Sequence, residues 1–314
     1  MASRVLVTGG AGFIGSHLVD RLIGEGFNVV VLENFSYGRR ESLDLYLGKA
    51  NFCLIRGDVL NNTDVRKALR GVNVVFHLAA ITSVDFSVKN PKLVDDVNVG
   101  GTLNVLKESL KAGVERFVYA SSCAVYGEPI RLPVDEEHPT KPLSPYGVSK
   151  LAAEHYCRVF YRIYGLETVC LRFFNVYGPR QRLGPYSGAI MGFIDKLRIC
   201  KPPTIYGDGE QTRDFVYVKD VADACVRAAS SKNCVGETIN IGSGIEVPIN
   251  EVAKILVRLM KVQEVKPVYA KSRAGDVRYS CADTSKARKL LNYEPKTRFV
   301  EGLRILLDEY RDEH

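Results

Sequence analysis

The segment SPYGVSK, residues 144–150, sets Tyr146 and Lys150 four positions apart. In a helix that spacing stacks both side chains on one face. A phenol with a pKa of about 10 is a weak base near neutrality, and a neighbouring ammonium is the kind of charge that favours its phenolate. The pair therefore has the composition of a proton acceptor and its activator. A tyrosine lying along a lysine stem on a surface has the same spacing, so the pair alone does not decide between chemistry and packing. His77, His138 and His155 lack metal-ligand spacing; they are expected to be structural, and no metal site is expected.

A second stretch, TGGAGFIG, carries Gly9, Gly12 and Gly15 three apart, between the β-branched run RVLV and the helical pattern FIGSHLVDRLIGEG. In a strand–turn–helix unit these glycines make the turn tight, let the backbone approach a pyrophosphate, and aim the free N–H groups of the helix start at that anion. The run NVVVLE ends a second strand at Glu33. That is about twenty residues on, where a carboxylate can accept the hydroxyls of a ribose. The combination reads as an NAD site, with Arg39 and Arg40 keeping the 2′-phosphorylated cofactor open as an alternative.

The elements that must position these groups alternate along the first half of the chain. RVLVTG, NVVVLE, NFCLIRGD, NVVFHLAA and RFVYASS read as strands. Helical patterns separate them, including one near 92–112 and one from about Pro145 to Tyr164, and TVCLRFF extends the series. Such alternation predicts an α/β fold, a doubly wound parallel (Rossmann) sheet. After Asn175 the pattern becomes irregular and richer in Gly and Pro. The expected division is a dinucleotide-binding domain over 1–175, with a returning segment near 211–242, and a smaller α/β substrate-binding region over 176–314.

With 314 residues, 46% of them hydrophobic, the chain can bury a substantial core. Its formal charge of +7 is dispersed in short clusters such as GRR and SKARK, which suits a small anionic ligand better than nucleic acid. The eight cysteines contain no C-x-x-C pair, the usage of a reducing compartment. MASRVLVTGG enters a strand directly, and no run of about 18 apolar residues occurs. A cytoplasmic protein with no membrane partner is expected.

TGGAGFIGSHL, GDV, HLAA, NVGGTLNVL, SSCAVYG, YGVSK, RFFNVYGPR, GDGEQTRDFVYVKD and RAGDVRYSCAD occur together along the whole chain. In that combination the sequence resembles the extended short-chain dehydrogenase/reductase family, and within it the nucleotide-sugar 4-epimerases. The resemblance implies an isomerase using NAD, with Tyr146 as base, Lys150 on the nicotinamide ribose and Ser122 hydrogen-bonding the reacting oxygen. It implies cofactor contacts from Gly9, Gly12, Phe13, Ile14 and Gly15, and from Glu33, Asn34, Ser36, Gly38, Asp58 and Val59 around the adenosine. Leu78, Ala79, Ala80, Asn98 and Ser121 would line the rest of that cleft, with Phe173 near the nicotinamide. For the UDP-sugar it implies Asn175, Arg213, Arg273 and Asp276 at the pyrophosphate or nucleoside, Thr204 and Tyr206 at the uracil, and Ser83, Cys123, Ala189, Ile190 and Ser280 about the remainder.

The same resemblance bears on which reaction follows. Dehydratases of this kind carry an Asp-Glu pair after the catalytic serine or threonine, and decarboxylases keep the Glu; here Cys123 and Ala124 stand there. Relatives that exchange protons through a cysteine carry it two residues before the motif tyrosine, whereas Cys123 lies three before Tyr126. The implied activity is 4-epimerisation of UDP-glucose and UDP-galactose, extended to N-acetyl sugars because Ser280 is small where similar epimerases place a tyrosine. Tyr279 takes that place if the register slips by one. A uronic acid substrate meeting Arg180 or Arg182, and a non-catalytic NAD-sensing protein, are the alternatives. A homodimer is implied, with Leu151, Val159, Phe160 and Ile163 partly at a helical interface, although core packing explains them almost as well.

Overall fold

The computed structural model describes residues 3–182, 188–262, 264–272 and 277–312. Its strands, in chain order, are β1 (Arg4–Thr8), β2 (Asn28–Glu33), β3 (Phe52–Arg56), β4 (Val74–His77), β5 (Arg116–Ser122), β6 (Glu167–Phe173), β7 (Asn175–Tyr177), β8 (Thr204–Tyr206), β9 (Thr212–Tyr217), β10 (Thr238–Ile241), β11 (Glu246–Pro248) and β12 (Val268–Ala270). Seven of them form one parallel sheet in the order β10-β6-β5-β4-β1-β2-β3. The chain winds outward from β1 to β3, then returns to β4 on the other side of β1. Loops leaving β1 and β4 therefore part, and a crevice opens beyond their carboxyl ends.

The strands read as unbroken apolar runs because both faces of the sheet are covered. Val5, Val7, Val29 and Val31 enter one core with Leu18 and Leu22 of the Phe13–Gly24 helix. Their neighbours Leu6, Val30 and Leu32 enter the opposite core with Val65, Val105 and Leu106. That is the two-residue alternation of a strand.

The Pro145–Tyr164 helix starts where Ser144 caps it, the serine Oγ accepting from Gly147 N at 3.1 Å, with Pro145 in the first turn. It ends at Gly165, φ 74°. Of the residues for which interface and core packing were both open, Phe160 is packed in the core, and Leu151 is partly buried against a smaller cluster. The aliphatic side chains left outside are Val148, Val159 and Ile163, the last 68% exposed.

The helix expected near 92–112 is interrupted. An α-helical turn, Pro91–Asp95, passes into a π turn, Asp96–Gly100, before the helix Gly101–Ala112. Such a turn re-aims a side chain inside an otherwise regular helix, and here it buries Asn98.

Beyond β6 the chain builds two small sheets, β11-β9-β7 and β12-β8. A third core, including Ile190, Phe193, Phe215 and Val252, lies beneath them. The chain also returns to the large sheet. β10 becomes its seventh strand, and the Val218–Ser230 helix packs beside the Phe13–Gly24 helix, joined by an Arg21–Asp223 pair at 3.1 Å. Ala287 and Leu291 of the Ser285–Leu291 helix share the same core. Among the described residues no helix is long and apolar enough to cross a membrane.

His77, on β4, shows why a buried histidine needs no metal. Thr102 Oγ1 gives its proton to the Asn98 carbonyl, so it accepts from His77 Nε2 at 2.9 Å, and His77 Nδ1 accepts from Thr8 Oγ1 at 2.8 Å. Burial lowers its pKa from 6.5 to about 3. The unfolded chain therefore binds this proton first, and the stability contributed by neutral His77 is lost as pH falls below about 6.5. Buried Glu33 and Asp214, raised by desolvation, act in the opposite sense. The measurement is thus a difference: between pH 7.5 and 4.5, Tm of the native protein should fall more steeply than that of His77→Gln, and parallel curves would contradict the assignment.

Candidate active site

At the crevice the chain approaches itself closely. Gly9 turns with φ +70°, its N–H donating to the Leu32 carbonyl at 3.0 Å, and a Cβ on Gly15 would stand 2.2 Å from the Gly9 carbonyl oxygen. The Phe13–Gly24 helix begins at Gly12 with no side-chain cap, and the N–H groups of its first turn have no acceptor within the helix. Glu33 closes β2. Its Oε2 accepts from Ala11 N at 3.2 Å and its Oε1 from Phe35 N at 3.0 Å, so the carboxylate also braces the turn. Asn34 Nδ2 donates to Asp58 Oδ2 at 2.8 Å across the same end.

A cleft of about 780 Å³ runs from this turn to the end of β5. It gathers Gly9, Gly12, Phe13, Ile14 and Gly15, then Glu33, Asn34, Ser36, Gly38, Asp58 and Val59. Farther along it is lined by Leu78, Ala79, Ala80, Ser121 and Phe173. Tyr146, Lys150, Ser122, Cys123, Asn175, Arg213 and Ser280 also line it. Asn98 does not. Its amide accepts from Ile81 N at 2.8 Å and donates to the Ile81 carbonyl and to Ser149 Oγ, tying the loop after β4 to the Tyr146 helix from behind.

The catalytic candidates meet where β5 ends. Ser122 caps a short turn, its Oγ accepting from Ala124 N at 3.1 Å. Tyr146 N donates to Ser87 Oγ at 3.2 Å. Burial pushes the Tyr146 phenol up to about 12, with the hydrogen-bonded Ser122 hydroxyl pulling the other way. Lys150 Nζ donates to the Ala120 carbonyl at 2.8 Å, and burial lowers its pKa to about 8. It lies 5.0 Å from the Tyr119 ring centre and 5.9 Å from that of Tyr146. In the protein alone desolvation dominates the Tyr146 phenol, and the Lys150 ammonium is held by the Ala120 carbonyl. Burial also raises the Cys123 thiol to about 11, which makes it a neutral wall of the cleft.

A second cavity, of about 490 Å³, adjoins the first and shares Asn175, Val176, Gln181, Gly188 and Arg213 with it. Ala189, Ile190, Thr204 and Tyr206 line this one. Ser83 lines neither, because its Oγ caps the Val84–Lys89 helix, accepting from Phe86 N at 3.1 Å. Arg273 and Asp276 lie outside the described residues. Ser280 is buried and Tyr279 half-exposed, yet both face the large cleft.

Arg180 pairs with Asp20 at 2.9 Å, and Arg182 donates to the Tyr37 carbonyl, so neither lines either cavity. Asp214, fully buried, accepts from Ser243 N and Oγ, Gly244 N and Ala282 N at 2.7–3.0 Å. Among the described residues no three His, Cys, Asp or Glu side chains gather as metal ligands would. Sequence reasoning missed Tyr126, which lines the cleft, and the buried pair Glu154–Arg172 behind it; the spacing 146, 150, 154 was the available signal for Glu154.

A model of the NAD dependent epimerase/dehydratase family matches residues 5–242. The chain belongs to this family. It is 43% identical to the putative UDP-glucose 4-epimerase of Methanocaldococcus jannaschii over 306 residues, 97% of each chain. The structure of UDP-glucose 4-epimerase with UDP-glucose from Thermotoga maritima superposes with a TM-score of 0.93 at 38% identity, covering 99% of both chains. UDP-N-acetylglucosamine 4-epimerase from Methanobrevibacter ruminantium, in complex with UDP-N-acetylmuramic acid, gives 0.94 at 36% identity over 100% of both.

The uncapped helix start, the glycine turn and the carboxylate at the end of β2 fit the dinucleotide that the family name implies. Gly15→Ala puts a methyl into a backbone carbonyl that has nowhere to move. It should weaken NADH binding, read by fluorescence titration, by at least about tenfold; unchanged affinity would count against this site.

Proposed function

We propose that this epimerase/dehydratase interconverts UDP-glucose with UDP-galactose, and UDP-N-acetylglucosamine with UDP-N-acetylgalactosamine, by inversion at C4. The observation that carries the reading is the meeting of Ser122, Tyr146 and Lys150 in a cleft that shares a wall, Asn175 and Arg213, with a second cavity. One cavity suits the dinucleotide and the other the nucleoside diphosphate, which leaves the sugar between them against Tyr146.

NAD held by the glycine turn, Glu33 and Lys150 would supply the hydride acceptor and donor that inversion at the sugar C4 requires. Tyr146 receives the proton of the 4-hydroxyl and later gives it back, and Ser122 holds the reacting oxygen. Lys150, an ammonium below about pH 8, stabilises the phenolate through its field. Arg213 suits the pyrophosphate, since a guanidinium matches phosphate oxygens. Among the described residues, the carboxylates on the large cleft are Glu33 and Asp58, at the adenosine end. The two positions after Ser122, Cys123 and Ala124, both on the cleft, carry no carboxylic acid, which favours epimerisation over loss of water or decarboxylation.

Tyr146→Phe removes the proton acceptor and little else. It should bind NADH normally and lose about 10² to 10⁴-fold in kcat; a variant keeping more than about half the native turnover would reject Tyr146 as the base.

Ser280 sets the sugar range. Being small and buried against the cleft, it leaves room for a 2-acetamido group, which a larger side chain would meet at a cost of about 1–3 kcal/mol. Ser280→Tyr should depress kcat/KM for the N-acetylated pair by about 10- to 100-fold relative to the plain pair. If the native enzyme ignores N-acetyl sugars, or the variant treats both pairs as the native enzyme does, residue 280 is not the determinant.

A further inference from the structure

We infer that Glu154 is a positioning residue for this reaction: clamped by Arg172, its carboxylate fixes Ser121 beside Ser122 and stands as the counter-charge to Lys150. The inference rests on the proposed roles of Tyr146, Lys150 and Ser122.

Tyr146, Lys150 and Glu154 follow one another at intervals of four along a single buried helix face. Glu154 Oε1 accepts from Ser121 Oγ and from Arg172 Nε at 2.9 Å, and Oε2 accepts from Arg172 Nη2 at 2.7 Å. Ser121 and Arg172 are paired across β5 and β6, and the next pair in register, Ser122 with Phe173, lies on the cleft. One carboxylate thus joins the catalytic helix to both strand ends that form the catalytic floor.

Arg172 has a further anchor. Its Nη1 donates to the Tyr126 hydroxyl at 2.8 Å, that hydroxyl donates to Asn240 Oδ1 at 2.7 Å, and Asn240 Nδ2 donates to the Val134 carbonyl at 2.9 Å. The orientation of the Glu154–Arg172 fork is therefore over-determined. A buried ion pair contributes little net stability over apolar residues of the same volume, so packing alone does not account for it.

Lys150 is faced by groups from its own helix, β5 and β4. Its own helix presents Tyr146, Glu154 and Cys157; β5 presents the Tyr119 ring and the Ala120 carbonyl; β4 presents His77, held neutral by burial. Arg172 and Cys170 of β6 face Glu154 from the far side. Among these described groups Glu154 is the one carboxylate, and it is the foremost influence opposing the desolvation of the Lys150 ammonium. Removing that negative charge favours neutral Lys150, so its loss of a proton moves to lower pH.

The test compares the native protein with Glu154→Gln, Glu154→Asp and the charge-balanced double variant Glu154→Gln/Arg172→Gln. Two profiles are read against pH: NADH affinity, which needs no turnover, and kcat/KM for UDP-glucose. In Glu154→Gln the alkaline midpoint of both should move down by about one pH unit. Glu154→Asp should keep the native midpoint while kcat falls about tenfold, because the shorter side chain keeps the charge and loses Ser121. The double variant should show the same downward displacement, which covers the case in which an unpaired Arg172 prevents Glu154→Gln from folding.

A native midpoint in any folded variant lacking the carboxylate overturns the inference, as does failure of both Gln-containing proteins to fold, which makes the pair purely structural. If the native protein turns over no nucleotide sugar, the proposed reaction fails, while the NADH series still reads Glu154.

Discussion

The closeness of the chain to itself after β1 is the constraint on which the rest depends. Where Gly15 passes the Gly9 carbonyl, no side-chain carbon fits, and only that approach lets the first helix rise from the sheet with its leading N–H groups facing the crevice. The position of the crevice follows from strand order, because the chain reverses its winding direction beside β1. Glu33 then locks the turn from the end of β2 through two backbone N–H groups. A side chain that reads as a ligand group is also a strut.

Burial decides the electrostatics of the cleft more than any pairwise attraction does. Desolvation raises the phenol of Tyr146, the thiol of Cys123 and the carboxyl of Glu33, and lowers the ammonium of Lys150. All four changes favour uncharged forms, as transfer out of water requires. A site poised in this way responds strongly to any charge brought into it, since little water remains to screen that charge.

Much of this architecture was legible in the residue order. β-branched runs alternating with helical periods gave the parallel sheet, and the 146–150 spacing placed a tyrosine and a lysine on one buried helix face, because both patterns are local. What stayed hidden depends on contacts distant in sequence. Ser83 looked like a sugar contact and is a helix cap. For Phe160 the residue pattern left interface and core open, and the packing makes it core. The π turn that buries Asn98 has no sequence period of its own. The positive charge of Lys150 was foreseen, but not its carbonyl partner on β5. The pairing of β9 with β7 and β11, while β10 joins the large sheet, follows from tertiary packing that no short motif specifies.

Asp214 gives the substrate end a division of labour. With four donors from two segments converging on one buried carboxylate, the backbone at Ala282 is pinned two residues beyond Ser280, and Arg213 is the immediate chain neighbour of the pin. Three of the four donors are main-chain amides, which any residue supplies, whereas the character of the pocket is carried by the side chains between the pins. On the roles proposed for Arg213 and Ser280, residue 280 can therefore be exchanged without disturbing the phosphate contact. Related enzymes could diverge in the sugars they accept through single codon changes, on a scaffold that need not be rebuilt each time.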